Sequence, residues 1–331
     1  MSLDRSLESK FGIVVIGRNE GARLRNCLAS VAAHAERVVY VDSDSTDGSV
    51  DMARSMGVAV VELDMSIPFT AARARNQGFV RLCELSPEIT YVQFVDGDCE
   101  VREGWLDYAV SFLDQHMDVA VVCGRQREQY PWASVYNLMC DIEWNTPVGQ
   151  AKACGGCAMM RVDVFSSVGG YRPSLIAGEE PELCVRLRAS GWKIFRLDVE
   201  MTWHDAHMLK FHQWWNRARR SGYAFAEGAY LHGVPPERHW VRESRSIMFW
   251  GGGIPALTLL SIILFGVSGA ALVLIYPAQV IRLALRDRKT SPAPWWRALF
   301  LVLGKFAEII GLARFVYFRL VGKNSRLIEY K

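Results

Sequence analysis

The chain has 331 residues, 50% of them hydrophobic, and a formal net charge of +3. That length allows one or two domains with a large core, and the small charge, with no basic block near the acidic stretches, does not suggest a nucleic-acid binder. Eight irregularly spaced cysteines, several in apolar patterns (Cys27, Cys83, Cys123, Cys184), and a start, MSLDRSLESKFG, without a signal-peptide core predict a reduced, cytoplasm-facing folded part.

Phe11–Ile16 is a continuous apolar run, as a buried parallel strand requires, and it ends in the polar turn Gly17–Gly21. Helical apolar spacing follows over Arg23–Ala33. Arg37–Val41 reads as a second strand, ending in Asp42 and Asp44, with Thr46 or Asp47 placed to cap a helix over Ser49–Met56. Val58–Leu63 reads as a strand, Thr70–Glu84 as a helix carrying Arg73, Arg75 and Asn76, and Tyr91–Val95 as a buried strand. Asp96, Gly97 and Asp98 follow it at once; a buried strand tolerates no charge, so these acids belong where the strand leaves the sheet. The alternation predicts an α/β doubly wound, mostly parallel sheet flanked by helices.

Further on, Trp105–His116 reads as a helix, Val119–Cys123 as a strand and Tyr130–Trp144 as an aromatic amphipathic stretch. Cys154-Gly-Gly-Cys157 has no second CxxC or HxxxH pair, so it reads as a close-packed loop of small residues and not as a zinc site. A helix opens at Glu179-Glu180-Pro181 and stops at Gly191, a late strand covers Trp192–Leu197, and Thr202-Trp203-His204-Asp205 follows.

Three strands thus end in Asn19 and Glu20, Asp42 and Asp44, and Asp96 and Asp98. In an open α/β sheet that shared carboxyl edge is where ligands bind. Two carboxylates around a glycine suit a hard divalent cation carrying phosphate oxygens. No GxGxxG and no GxxxxGK[ST] occurs, so a dinucleotide fingerprint and a P-loop are absent.

The stretches IGRNEG, VDSDSTDGS, RARNQG, FVDGDC, CGGCAMMR with VGGY, and GEEPELCVRLRASGWKI, in that order, make the chain resemble the glycosyltransferase family 2 enzymes, which have the GT-A fold, over roughly Phe11–Lys210. The resemblance implies transfer of a sugar from a nucleotide-sugar to an acceptor hydroxyl with inversion, assisted by Mn²⁺ or Mg²⁺. It places Asp98 and Asp96 at the metal, with His204 completing the shell and Asp205 and His207 as rivals. It puts Asn19, Glu20, Asp42, Asp44, Arg73, Asn76, Asp96 and Gly97 at the nucleotide-sugar; Arg73 and Arg75 cannot point the same way on a helix, so only one of them serves the site. The family's base is an aspartate in Glu-Asp; here Glu180 fills that position, one methylene longer, with Glu179 as second choice. His212–Arg217 resembles the Gln-x-x-Arg-Trp signature of processive members with the spacing off by one, so a non-processive enzyme adding one sugar is expected. UDP-sugars are the more frequent donors in the family. A nucleotidyltransferase and a degenerate membrane-anchored sugar- or nucleotide-binding scaffold are the alternatives.

From Ile247 to Ile281 there is no charged residue. With arginines on both flanks, a hairpin broken near Gly266–Gly269 satisfies the positive-inside bias. The expected organisation is a catalytic domain over 1–210, connecting helices over 211–246, and membrane-associated helices over 247–331, with a hairpin at 247–285 and a third helix at 295–320. This placement predicts association with the inner membrane, a cytoplasmic catalytic domain and a lipid-linked or glycan acceptor. The sequence leaves oligomeric state open.

Overall fold

The computed structural model describes residues 10–322; the N-terminal stretch read for a signal sequence lies almost wholly outside them. The chain forms two compact units. One joins the chain up to Tyr130 with Glu143–Ala206, and the other joins Pro131–Ile142 with the chain from His207 onward.

The first unit is built on strands β1 (Phe11–Gly17), β2 (Val38–Asp42), β3 (Ala59–Glu62), β4 (Tyr91–Asp96), β5 (Cys99–Val101), β6 (Val119–Glu128), β7 (Gly149–Ala151), β8 (Ala158–Arg161) and β9 (Lys193–His204). They form one sheet in the order β3-β2-β1-β4-β8-β6-β9-β5, with β7 pairing to β9. Strands β1 to β4 are parallel, and so are β6 and β9, whereas β8 lies antiparallel between β4 and β6. The sheet is therefore mixed beyond β4. Ala158–Arg161, directly after the small-residue loop Cys154–Cys157, supplies β8, and β6 and β9 run several residues beyond their expected ends, Cys123 and Leu197.

The helices of this unit are α1 (Ala22–Ser30), α2 (Ser49–Ser55), α3 (Ala71–Leu85) and α4 (Trp105–Gln115), then, after the intervening second-unit helix α5 (Val135–Glu143), α6 (Val162–Ser167) and α7 (Glu179–Ala189). Thr70 caps α3 by accepting a hydrogen bond from the Arg73 amide at 3.1 Å, which satisfies one of the donors a helix start leaves open. Ile13, Val14, Val15, Val38, Val39, Val41, Val92, Phe94 and Val95 are fully buried. Each such side chain contributes about 1.5–3 kcal/mol relative to exposure. The one polar group in the middle of β4, Gln93, donates to the Phe94 carbonyl at 2.7 Å and accepts from the Trp105 indole at 2.9 Å, so it carries little burial penalty.

Register positions the site. Gly17 pairs with Asp42 and Ile16 with Asp96, so β1, β2 and β4 end level and their acids share one edge.

In the second unit, α5 joins α8 (Phe211–His232), α9 (Val241–Ile247), α10 (Ile254–Phe265), α11 (Ile275–Asp287) and α12 (Pro294–Leu320). The backbone stays helical from Val241 to Phe265 through a π segment at Met248–Gly253. It turns at Gly266, and the 3-10 segment Gly266–Leu274 packs back on α10, where a Cβ on Gly269 would run into the Ser261 carbonyl. Helices α8 and α12 cross closely, since Gly222 faces the Glu308 backbone and Gly311 the Arg219 carbonyl with no room for a Cβ at either. Val241–Asp287 is the one stretch among the described residues that is long and apolar enough to cross a membrane.

Candidate active site

The edge where β1, β2 and β4 end gathers two connected groups of charged side chains. The first is a chain of three. Arg75 is buried, with 4% of its side chain exposed, and its guanidinium spans Asp96 Oδ1 at 2.6 Å and Glu179 Oε1 at 2.7 Å. Burial alone would disfavour its charge, but Asp96 and Glu179 outweigh that and keep it charged. Gly156 lies directly over this chain: a Cβ there would come within 2.7 Å of Asp96 Oδ2 and 3.0 Å of the Arg75 guanidinium. Only glycine lets the Cys154–Cys157 loop approach so closely.

The second group is Asp98 with His204. The His204 imidazole, at the end of β9, brings Nε2 to 3.2 Å from Asp98 Oδ2. Its ring is held edge-on by Trp144 at 4.5 Å between centroids. The Asp205 amide donates to the Asp98 carbonyl at 3.0 Å, which ties the β9 end to the loop after β4. Ligand atoms of Asp98, His204 and Cys99 all lie within 4.8 Å of one another. A carboxylate and an imidazole converging in this way fit Mn²⁺ or Mg²⁺. Cys99 is a neutral thiol, raised by burial first and then by its hydrogen bond with Cys157, and adds little for a hard cation.

The paired glutamates diverge. Glu179 faces Arg75. Glu180 turns the other way and is 6% exposed. Its Oε1 accepts from the Cys154 amide at 2.5 Å, the Cys154 thiol at 3.1 Å and the Cys184 thiol at 3.0 Å. All three bonds fall on one oxygen. Burial raises Cys154 well above the usual thiol range and pushes Cys184 up to about 11, so both remain S–H donors at neutral pH. Cys154 and Cys157 do not pair as a CxxC; Cys154 meets Cys184, and Cys157 faces Cys99.

The other expected site residues fall into two classes. Some lie at the edge and build its loops. Asn19 has positive φ, its Oδ1 accepts from the Thr46 amide at 2.8 Å, and its own amide donates to Ser45 Oγ. Glu20 pairs with Arg23 at 2.7 Å and lies against Gly97. Asp42 is buried, accepting from the Tyr40 hydroxyl at 2.7 Å and the Ser45 amide at 2.8 Å, whereas Asp44 is exposed at the loop tip. Gly97 is held by its amide to the Ile16 carbonyl at 2.8 Å.

Two others are engaged elsewhere. Arg73 donates to the carbonyls of Asp64, Ile67 and Pro68, so it braces the loop before α3; the arginine of the charged chain is Arg75. Asn76 donates to the Tyr171 carbonyl at 2.7 Å and accepts from the Tyr171 amide at 3.0 Å, clamping α3 to the Gly169–Tyr171 turn. The signal that separates Arg73 from Arg75 was in the helix period. Arg75 stands on the buried stripe with Gly78 and Leu82, three and seven residues on, and Arg73 does not. Glu182 is likewise structural: 1% exposed, it pairs with Arg186 at 2.7 Å and Arg172 at 3.2 Å, while Arg186 holds the Val168 and Gly170 carbonyls.

Residues 12–169 match the family model described as Glycosyl transferase family 2. Asp96 and Asp98 lie inside that match, and Glu179, Glu180 and His204 beyond it. The chain is similar to glycosyltransferase AglE of Haloferax volcanii, 24% identical over 201 residues that cover 56% of this chain and 64% of that protein. It is also similar to the pre-mycofactocin glycosyltransferase of Mycobacterium tuberculosis, 26% identical over 272 residues, covering 76% of this chain and 52% of that one. The chain thus spans between about half and two thirds of the length of these curated relatives. Among solved structures, a mannosyltransferase from Pyrobaculum calidifontis, in complex with GDP-Man and Mn²⁺, superposes with a TM-score of 0.60 at 17% identity, over 93% of this chain and 87% of that one. The strand-end acids, the mixed sheet and these likenesses agree: the chain carries a glycosyltransferase family 2 domain on the GT-A fold.

Proposed function

We propose that this protein transfers one sugar from a nucleotide-sugar to an acceptor hydroxyl with inversion, in a single in-line displacement. The observation that carries this reading is the convergence of Asp98 with His204, and of Asp96 with Arg75 and Glu179, at one edge of the parallel strands. Asp98 and His204 would hold Mn²⁺ or Mg²⁺, with Asp96 beside them. When bound, the ion supplies charge neutralisation on the departing nucleoside diphosphate. Arg75 fixes the orientation of Asp96 and Glu179, which limits reorganisation as charge develops. Asn19, Glu20, Asp42 and Asp44 shape the loops that face the nucleoside, and a UDP-sugar is the first donor to test, ahead of a GDP-sugar.

Glu180 is the base in this reading. Three donors anchor Oε1, leaving Oε2 to take the proton of the acceptor hydroxyl. Glu179, held by Arg75, organises charge.

The helical stretch Val241–Asp287 supports a membrane-bound enzyme. Large apolar side chains along it are exposed, among them Val267 at 90% and Ile263 at 71%, which suits a lipid surround. In this reading the acceptor, lipid-linked or a glycan, is held in the same membrane, and the arginines flanking the apolar run favour a catalytic domain facing the cytoplasm.

The test is transfer or donor hydrolysis by the detergent-purified chain, with a panel of nucleotide-sugars and Mn²⁺, then EDTA, and the product anomer read by NMR. Metal-dependent turnover with the inverted anomer, lost in Asp98→Asn and Glu180→Gln, is expected. Retention of configuration, or full turnover in Glu180→Gln, would overturn the mechanism as stated.

A further inference from the structure

A thiol pair donates to the proposed base, and neither sulfur takes a proton or forms a bond in the transfer as proposed. Cys154, in the loop after β7, and Cys184, on the second turn of α7, bring their sulfurs to 3.7 Å from each other. Glu180 Oε1 lies 3.1 Å from one and 3.0 Å from the other. Cys184 and Glu180 are four residues apart on one helix, so they share a face, and the Cys154 loop closes over them.

This triangle is close to one face of a tetrahedron around zinc. A Zn–S bond of about 2.3 Å sets the sulfur–sulfur edge of a tetrahedral site at about 3.8 Å, and a Zn–O bond of about 2.0 Å sets the sulfur–oxygen edge at about 3.5 Å. The sulfurs are therefore already at the required separation, and the carboxylate has to withdraw by roughly half an ångström. Two sulfurs and one oxygen select a thiophilic ion such as Zn²⁺ over Mg²⁺ or Mn²⁺. The site has a way in: Cys154 is buried beneath a loop whose neighbours Lys152, Ala153 and Gly155 are exposed.

We infer that Cys154, Glu180 and Cys184 form a second metal site, for Zn²⁺ or a similar thiophilic ion, distinct from the Asp98–His204 pair. Binding replaces both S–H protons, which leave to solvent, and the ion takes two thiolates, one carboxylate oxygen and a water. Glu180 is then a ligand. Because it is also the base in the reading given above, occupancy blocks transfer, and Zn²⁺ acts as an inhibitor while Mn²⁺ or Mg²⁺ serves at the other site.

The experiment is a Co²⁺ titration of the full chain in detergent, followed by thiolate-to-cobalt charge-transfer absorption, with Zn²⁺ used to displace the cobalt. One Co²⁺ per chain with that absorption is expected. It should disappear in Cys184→Ser and in Cys154→Ser, each checked for wild-type unfolding temperature. It should persist in Asp98→Asn, which removes the other metal site, and in Cys157→Ser, which removes a thiol of the neighbouring Cys27, Cys99 and Cys157 group. No thiolate absorption in the wild type, or absorption that survives both Cys154→Ser and Cys184→Ser, overturns the site. Zn²⁺ inhibition under saturating Mn²⁺ gives the second readout, and Cys184→Ser should need at least tenfold more Zn²⁺ for half-inhibition. Cobalt absorption without Zn²⁺ inhibition would keep the metal site and overturn Glu180 as the base.

Discussion

The two units solve opposite solvent problems. In the sheet unit the apolar side chains are inside: β1, β2 and β4 are buried almost along their length, and charge collects where those strands end. In the helical unit the largest apolar side chains of the Gly251–Ile275 region face outward, and burial is concentrated where helices cross on small residues such as Gly222 and Gly311. A sheet buried on both faces has nowhere to put a charge except its edges, so its edge becomes a site. A helix whose backbone bonds are internal can present apolar groups to lipid at no cost to its hydrogen bonding. The first unit is therefore sensitive to charge and the second to volume.

The largest effect should come from the charge at the strand ends. Asp98→Asn is expected to lower turnover roughly a thousandfold, corresponding to several kcal/mol of lost charge stabilisation, and to weaken Mn²⁺ binding measured by calorimetry. Unchanged metal affinity would remove Asp98 from the metal shell. Glu180→Gln should cost about 10²- to 10⁴-fold in kcat with donor affinity little altered. If Glu179→Gln shows that pattern instead, the base is Glu179.

Arg75→Met tests whether the edge is a folding element as well as a site. Removing the cation leaves Asp96 and Glu179 facing each other, and a loss of about 3–5 kcal/mol is expected in denaturant unfolding. Arg73→Met, whose guanidinium only bonds loop carbonyls, should cost far less. Equal losses would break the distinction between these two arginines.

In the helical unit, Gly311→Val inserts volume where Arg219 leaves none, and a loss of about 1–3 kcal/mol should appear as a lowered unfolding temperature. The smallest stability effect is predicted for Val267→Ser, within about 0.5 kcal/mol in detergent, because the side chain is 90% exposed and the replacement brings no charge into the apolar surround. Val267→Asp should float less with anionic phospholipid vesicles. Undiminished flotation would show that the hairpin tip does not meet lipid.

Much of the sheet unit was legible in local pattern. Apolar runs of five or six residues locate β1, β2 and β4, and the acids behind them locate the edge, since burying a charge mid-strand is prohibitive. The break at Gly266 was legible too, in a run with no charge to anchor it. The pairing of β8 between β4 and β6 was not, because Ala158–Arg161 is short and its strand character comes from neighbours on both sides. Nor was the assignment of Pro131–Ile142 to the other unit, since the aromatic amphipathic character of Tyr130–Trp144 does not say what it packs against.

Residue types and spacing by themselves determined that this protein has an acidic strand-end site and a separate apolar end, because both follow from where the chain can and cannot place charge. Which side chains meet was decided by the tertiary structure. Arg75 reaches Glu179 across 104 positions, Asn76 meets Tyr171 across 95, and Cys154 meets Glu180 and Cys184 across 26 and 30. Helical period excludes Arg73 and Arg75 from sharing a face, and packing of α3 against β1 and β2 selects between them. The partner of a buried polar group is set by what the fold brings within 3 Å, and sequence distance carries no record of that.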